Sequence, residues 1–433
     1  MSRRSKRFVR ALVANEQGKI FDLDGYAAVG MACGELIPLT ESDTINMSAG
    51  GEHLFLPDRR PIVYNTSSED FEVLTEDPYA PGKQIFPVAA FNAPGYTISL
   101  VSAYAEESGA VQLPLFSYGA VGWSRGGFRV AGLRIDPERR QDLRLMPLDK
   151  IKKGVTKLRR QTPSNRLRRH LETCALTYGC PAAKNFFLGR YEAPLPTSRN
   201  CNARCLGCLS LQEKSSIPST QKRIDFTPSP DEIAQIAIHH IKRTRRAVVS
   251  FGQGCEGEPL LAADVIEPAI RLIRKAVRSG TINMNTNGSL PAVLERLFEA
   301  GLDSIRVSMN SVRKSCYEAY FRPRGYGFSD VVDGIDLAGR KGKFVSINYL
   351  NLPGFTDAKS EVAALLCFLE DHPVRMIQWR NLNYDPVRYW QIMGSRSKDH
   401  ELIGIPTLLD RVHQAFPGLK FGYFNPPREK FTV

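Results

Sequence analysis

The stretch that decides the fold is Thr197-Ser198-Arg199-Asn200-Cys201-Asn202-Ala203-Arg204-Cys205-Leu206-Gly207-Cys208. Three cysteines fall within eight residues in the spacing CxxxCxxC. The 433-residue chain has nine cysteines, too sparse for a disulfide scaffold, so a cluster of them points to metal. Iron–sulfur clusters take thiolate ligands, usually four. Three thiolates on one tight loop can hold three corners of a cube and leave one iron open to another ligand. A zinc knuckle needs a fourth Cys or His at short range. None lies within the next twenty residues, while Cys180 stands 21 residues upstream and keeps zinc open as an alternative.

Outward from this loop, the chain from about residue 190 alternates strand and helix patterns. Strands are expected at residues 195–199, 247–251, 281–286, 304–309, 344–350 and 374–379. Helix starts are marked between them. Ser229-Pro230-Asp231-Glu232 offers a capping serine, proline at the first helical position and glutamate at the third, and Asp264 with Glu267 repeats the capping logic. Ile233, Ile236, Ala237 and Ile241 follow helical spacing, as do Ile266, Ile270, Ile273 and Val277. Gly280 and Gly301 sit where helices should stop. Helices that cross between parallel strands give a βα array, whose ligands gather at the carboxyl ends of the strands.

Those ends carry the remaining motifs. After the second expected strand comes Gly252-Gln253-Gly254-Cys255-Glu256-Gly257-Glu258-Pro259, and the third ends in Asn285-Thr286-Asn287-Gly288. The fourth ends in Val307-Ser308-Met309-Asn310-Ser311, whose short neutral side chains both donate and accept. The fifth runs through Ile347 to Gly354, and the sixth through Gln378, Trp379 and Arg380, with Trp379 read as core.

The CxxxCxxC loop at the head of a βα array, followed by the Gly257-Glu258-Pro259 and Thr286-Asn287-Gly288 loops, resembles the radical S-adenosylmethionine (SAM) superfamily over about residues 190–385. The resemblance implies an α/β partial (β/α)6 barrel and a [4Fe–4S] cluster on Cys201, Cys205 and Cys208. It implies S-adenosyl-L-methionine at the open iron, with Gly257, Glu258, Asn287, Ser308 and Asn310 as SAM contacts. It further implies reductive cleavage of SAM to a 5′-deoxyadenosyl radical, with an electron donor such as flavodoxin or ferredoxin. Two positions depart from the family pattern: Glu256 replaces the first glycine of GGEP, and Gly207 stands where many members place an aromatic residue.

Residues 1–148 read as a β-rich accessory domain, with short apolar runs at 8–14, 86–90, 96–103 and 111–118 broken by turn residues. Residues 149–189 read as a basic helical connector, 190–385 as the core and 386–433 as a C-terminal extension. The segment 150–170 carries nine Lys or Arg and no acid, which reads as a solvated face or a phosphate-contacting surface. The net charge is +13, from 58 basic and 45 acidic residues. With no apolar run near the roughly 20 residues of a membrane span, and no secretory signal in MSRRSKRFVRALVANEQG, the expectation is a cytoplasmic protein without a membrane partner.

Cys174 and Cys180 are too few for a second cluster by themselves, Cys255 reads as packing, and Cys33, Cys316 and Cys367 read as structural. His239 and His240 lie on a helix with no second ligand set and are not assigned to metal. The substrate stays open between RNA, a peptide or protein, and a metabolite. The alternative reading is a non-catalytic iron–sulfur or zinc protein serving as scaffold or electron carrier.

Overall fold

A computed structural model describes residues 7–212, 217–394 and 401–431. The first six residues of the basic N-terminal stretch, and part of the C-terminal segment, lie outside the described residues. By contacts the chain divides into two units: Met1–Ile135 with Leu350–Ala364 and Arg380–Ala415, and Asp136–Tyr349 with Leu365–Trp379 and Phe416–Val433.

The first unit is built on antiparallel strands in the order Tyr104–Glu106, Arg59–Asn65, Ile20–Ala32, Arg10–Asn15, Val121–Ser124, Gly127–Val130, Ile45–Asn46. The strand Arg10–Asn15 is buried on both faces. Ala11 and Val13 pack with Leu23, Val63 and Ile85, while Leu12 and Ala14 pack with Val88, Ala90 and Val121. Burial on both faces removes the need for polar residues at alternate positions, which is why the apolar run alternates poorly in the sequence. The expected run at 111–118 forms no strand. Pro114 has no N–H to offer a ladder. The Leu113 amide instead donates to Asp385 at 3.0 Å, and Arg59 donates to the Val111 carbonyl at 2.9 Å.

The second unit holds the cysteine loop. Its strands are β1 (Glu192–Pro194), β2 (Val248–Phe251), β3 (Thr281–Thr286), β4 (Ser304–Met309), β5 (Phe344–Asn351), β6 (Met376–Asn381) and β7 (Lys420–Gly422), hydrogen-bonded in that order into one seven-stranded sheet. The paired strands run parallel, as a half-barrel. Five of the six expected strands are present within two residues of their expected bounds, and β7 adds a seventh. The expected first strand at 195–199 is not formed, and β1 lies wholly upstream of it at Glu192–Pro194. Glu192–Pro194 pair with Val248–Ser250 and the Leu195 amide still reaches Ser250 at 2.8 Å, but the Thr197 and Ser198 amides leave the ladder for the Glu256 carboxylate.

The helices of this unit are α1 (Leu148–Gln161), α2 (Arg166–Leu176), α3 (Pro181–Leu188), α4 (Pro230–Arg243), α5 (Ala263–Ala276), α6 (Pro291–Ala300), α7 (Lys314–Phe321) and α8 (Phe328–Arg340). α4 starts at the expected capping box: the Glu232 amide donates to the Ser229 hydroxyl at 3.2 Å, and the Ser229 amide to the Glu232 carboxylate at 2.8 Å. Its isoleucines Ile233, Ile236 and Ile241 are buried, about 1.5–3 kcal/mol each. The expected cap at Asp264 is not formed. A 3-10 turn at Pro259–Ala262 feeds directly into α5, so Asp264 lies inside the first helical turn and Ala262 occupies the cap position. Gly301 does end α6, whereas Gly280 lies beyond the end of α5 and turns the chain into β3.

Period-two alternation turns the polar side chains of the strands to one face. Asn283 donates to Asn285 at 2.9 Å and to the Ser250 hydroxyl at 3.3 Å, and the Ser304 hydroxyl donates to Asn283 at 2.8 Å. Asn425, from the segment after β7, donates to Glu192 at 2.8 Å, Asn285 at 3.2 Å and Ser250 at 3.3 Å, and accepts from Gln378 at 3.1 Å. Ile282, Met284, Ile305 and Val307 alternate with these residues and are fully buried. Trp379 is also fully buried, with its ring edge-on to Tyr349 and Phe421.

Candidate metal and cofactor site

Cys201, Cys205 and Cys208 lie on the loop after β1, and backbone hydrogen bonds hold that loop from two sides. On one side the Gly257 amide donates to the Ser198 carbonyl at 2.7 Å and the Glu258 amide to the Asn200 carbonyl at 2.8 Å. On the other, the Arg204 amide donates to the Phe321 carbonyl at 2.9 Å, the Leu206 amide to Tyr320 at 3.0 Å and the Arg324 amide donates to Asn202 at 2.8 Å. The Arg322 guanidinium closes this side on the Arg204 carbonyl at 2.6 Å. The turn after α7 had no signal in the sequence, because apart from Arg322 its contribution is made through backbone groups common to every residue.

The strand-end motifs converge on the same loop. Asn287 donates to the Asn202 side chain at 2.7 Å, and Asn202 donates to the Ser289 hydroxyl at 2.9 Å. Glu258 does not point an unused carboxylate outward. It accepts from the Thr286 hydroxyl at 2.5 Å, the Asn287 amide at 2.8 Å and the Leu260 amide at 3.1 Å, and so ties the second motif to the third. Glu256, the residue in place of a glycine, accepts four backbone N–H groups: Thr197 and Ser198 on one oxygen at 2.7 and 2.9 Å, Gly252 and Gln253 on the other at 2.7 Å each. Burial pushes both carboxyls up to about 7, while the donors just named pull the other way.

Of the other expected contacts, Asn310 turns inward and donates to the Cys316 carbonyl at 3.1 Å. Ser308 sits beside Asn348 across the β4–β5 ladder and accepts from its amide at 3.4 Å. The Asn348 side-chain oxygen is buried and has no hydrogen-bond partner among the described residues. A buried acceptor in that state costs about 1–3 kcal/mol unless a ligand donor meets it.

Burial pushes the Cys201 thiol up to about 11, with the neighbouring Glu258 charge adding to the effect. Cys205 is raised well above its usual value by burial and by the other two cysteines. Thiols in this setting stay protonated until a metal cation binds and deprotonates them. Arg223, unmarked in the sequence reading, places its guanidinium 3.5 Å from the Cys208 sulfur and 3.2 Å from the Ser210 hydroxyl, where it can offset thiolate charge. Three thiols on one loop, with a guanidinium beside one of them to offset its charge, fit an iron–sulfur centre that leaves one iron to another ligand.

A parallel half-barrel that presents three clustered thiols on its first loop defines a class of α/β protein equipped for a metal–sulfur centre. The Radical SAM superfamily model matches residues 195–366, which span the thiol loop and β2 to β5, so this segment is a radical SAM domain. The cofactors of the superfamily are a [4Fe–4S] cluster and SAM. The chain is 29% identical over 220 residues to the GTP 3′,8-cyclase of Lactiplantibacillus plantarum, covering 50% of this chain and 59% of the relative. It is 28% identical over 237 residues to molybdenum cofactor biosynthesis protein 1 of Mus musculus, covering 54% of this chain and 34% of the relative. The match thus spans less than two thirds of each relative. Among solved structures, Streptococcus suis SuiB bound to S-adenosylmethionine aligns with a TM-score of 0.39 and 13% identity, over 73% of this chain and 72% of that one. Among the described residues no helix is long and apolar enough to cross a membrane.

Proposed function

We propose that the chain is a radical SAM enzyme in which Cys201, Cys205 and Cys208 hold the cluster. The observation that carries this reading is the two-sided backbone clamp, which shapes a three-thiol loop at the carboxyl ends of parallel strands. When bound, the cluster and SAM supply the reductive cleavage that yields a 5′-deoxyadenosyl radical, with the electron coming from a flavodoxin- or ferredoxin-type donor. Gly257, Glu258 and Asn287 shape the loop and present SAM with backbone groups. Ser308, with Asn348 beside it, offers side-chain partners to the polar groups of SAM, and Asn310 holds the end of β4 in place.

The substrate class is drawn from the relatives, since Asn283, Asn285, Arg306 and Gln378 on the polar face are already bonded within the protein. A purine nucleotide is the first substrate to test, because the relatives include enzymes named for GTP. A second reading, an RNA substrate, is favoured by the exposed row Lys152, Lys153, Lys157 and Arg160 on α1. RNA affinity falling with salt at a log–log slope of about −3, as four phosphate contacts give, would support it, and a flat dependence would remove it.

The deciding experiment is anaerobic reconstitution, followed by iron and sulfide analysis and an assay for 5′-deoxyadenosine with dithionite. The wild-type chain should form the nucleoside, and the Cys201→Ala, Cys205→Ala and Cys208→Ala variants should not. Formation that survives all three substitutions would sink the assignment.

A further inference from the structure

A second cluster of ligand-type side chains lies apart from the cysteine loop. His170 and Cys174 stand one turn apart on α2 and face the same way, and Cys255 reaches them from the loop after β2. The ring nitrogen Nε2 of His170 is 3.5 Å from the Cys255 sulfur and 3.5 Å from the Cys174 sulfur. All three ligand atoms fall within 4.8 Å of one another, and among the described residues this is the group so arranged. Cys174 and Cys255 are 2% and 6% exposed.

These separations match the edges of a small coordination tetrahedron. Metal–sulfur and metal–nitrogen bonds of about 2.3 and 2.0–2.1 Å at a tetrahedral angle put the two ligand atoms about 3.5 Å apart. Three thiolates on three different irons of a cubane need no such closeness, and Cys201, Cys205 and Cys208 form no group of this kind. Cys180 caps the start of α3 beside this group, where its amide donates to the Cys174 carbonyl at 2.9 Å, while its sulfur lies outside the 4.8 Å span of the other three.

We propose that His170, Cys174 and Cys255 bind a single zinc ion, with the Cys180 thiol turning in as fourth ligand when the metal binds. The Cys3His set is a zinc donor set, and closing the tetrahedron with protein leaves no open position, so the ion is structural. It pins α2 and the start of α3 to the loop that carries Glu256, Gly257 and Glu258. Sequence spacing hides the site, because one ligand lies 75 residues beyond the nearest of the others and the histidine sits in a basic run.

The test uses the full chain with Cys201→Ala, Cys205→Ala and Cys208→Ala combined, so that the cubane cysteines are gone and the second site is intact. Elemental analysis after anaerobic purification should find about one zinc per chain. Absence of metal, iron in place of zinc, or a Cys174–Cys255 disulfide would overturn the proposal. Cobalt(II) loaded into the same chain should show thiolate-to-cobalt charge transfer with intense tetrahedral visible bands. His170→Ala or Cys255→Ser should remove the tetrahedral signature, and Cys180→Ser should lower the charge-transfer intensity by about a third. An unchanged spectrum in Cys180→Ser would overturn its place as fourth ligand. None of these readouts involves SAM, so failure here is separable from failure of the proposed function.

Discussion

Gly257 has no room for a side chain: a Cβ there would lie 1.9 Å from the Asn200 carbonyl oxygen, the backbone group that accepts from Glu258. Gly257→Ala must therefore push the two loops apart and open one side of the clamp. We expect the variant to fold and to retain less than half of the reconstituted iron, with 5′-deoxyadenosine formation falling roughly tenfold, or about 1.4 kcal/mol in the barrier. Gly254→Ala is the matched control, since its Cβ would crowd the movable end of Gln221 and make ordinary contact with Leu209. Equal iron retention in the two variants would contradict the clamp. The residue scale also shows the limit of motif reading. Glu258 was recognisable from its neighbours, but its three protein donors make it a brace between loops, a role that depends on where Thr286 and Asn287 fold. His170 gave no signal at all, because a histidine in a run of arginines is indistinguishable from solvated surface until its partners arrive from another loop.

At the scale of elements, α4 carries a histidine that the fold keeps neutral. His240 is buried against Phe186, and its ring bonds the Tyr191 carbonyl at 3.1 Å. Burial lowers its pKa from 6.5 to about 4, with the Tyr191 bond opposing part of that shift. The unfolded chain takes up a proton below about 6.5 while the folded chain does not. Its contribution to stability is thus complete above pH 6.5 and is lost as the pH falls toward 4, by about 3 kcal/mol in all. His240→Gln keeps a donor for Tyr191 but does not titrate. Urea denaturation at pH 7.5 and 5 should show a smaller loss of stability for the variant than for the wild type, and equal losses would refute the assignment. Element positions were legible where one face is apolar and the other polar, as in β3 and β4, whose bounds match the sequence reading. Arg10–Asn15 was legible only as the apolar run 8–14, because burial on both faces erased its alternation, and positions were lost where side chains take over the ladder's amides, as at Thr197.

On the scale of the whole molecule, the half-barrel depends on one amide near the end of the described chain. Asn425 contacts groups from β1, β2, β3 and β6, so it joins strands that are not neighbours in the sheet. Removing it leaves the Glu192 carboxylate and the Gln378 amide without that partner, so Asn425→Ala should cost about 2–3 kcal/mol. A fall in urea midpoint with an unchanged slope would confirm a stability effect without a change in the surface exposed on unfolding.

The clamp around Cys201, Cys205 and Cys208 is made of protein groups alone, with no bond that waits for iron. The cradle consequently keeps its shape when empty, and oxygen damage to the inorganic core need not become damage to the polypeptide. Amide hydrogen exchange over residues 198–208 should be nearly the same in the stripped and refilled protein. Repeated cycles of oxidation, chelation and refilling should then restore the iron content each time without a denaturation step, as expected of a vessel built to be recharged.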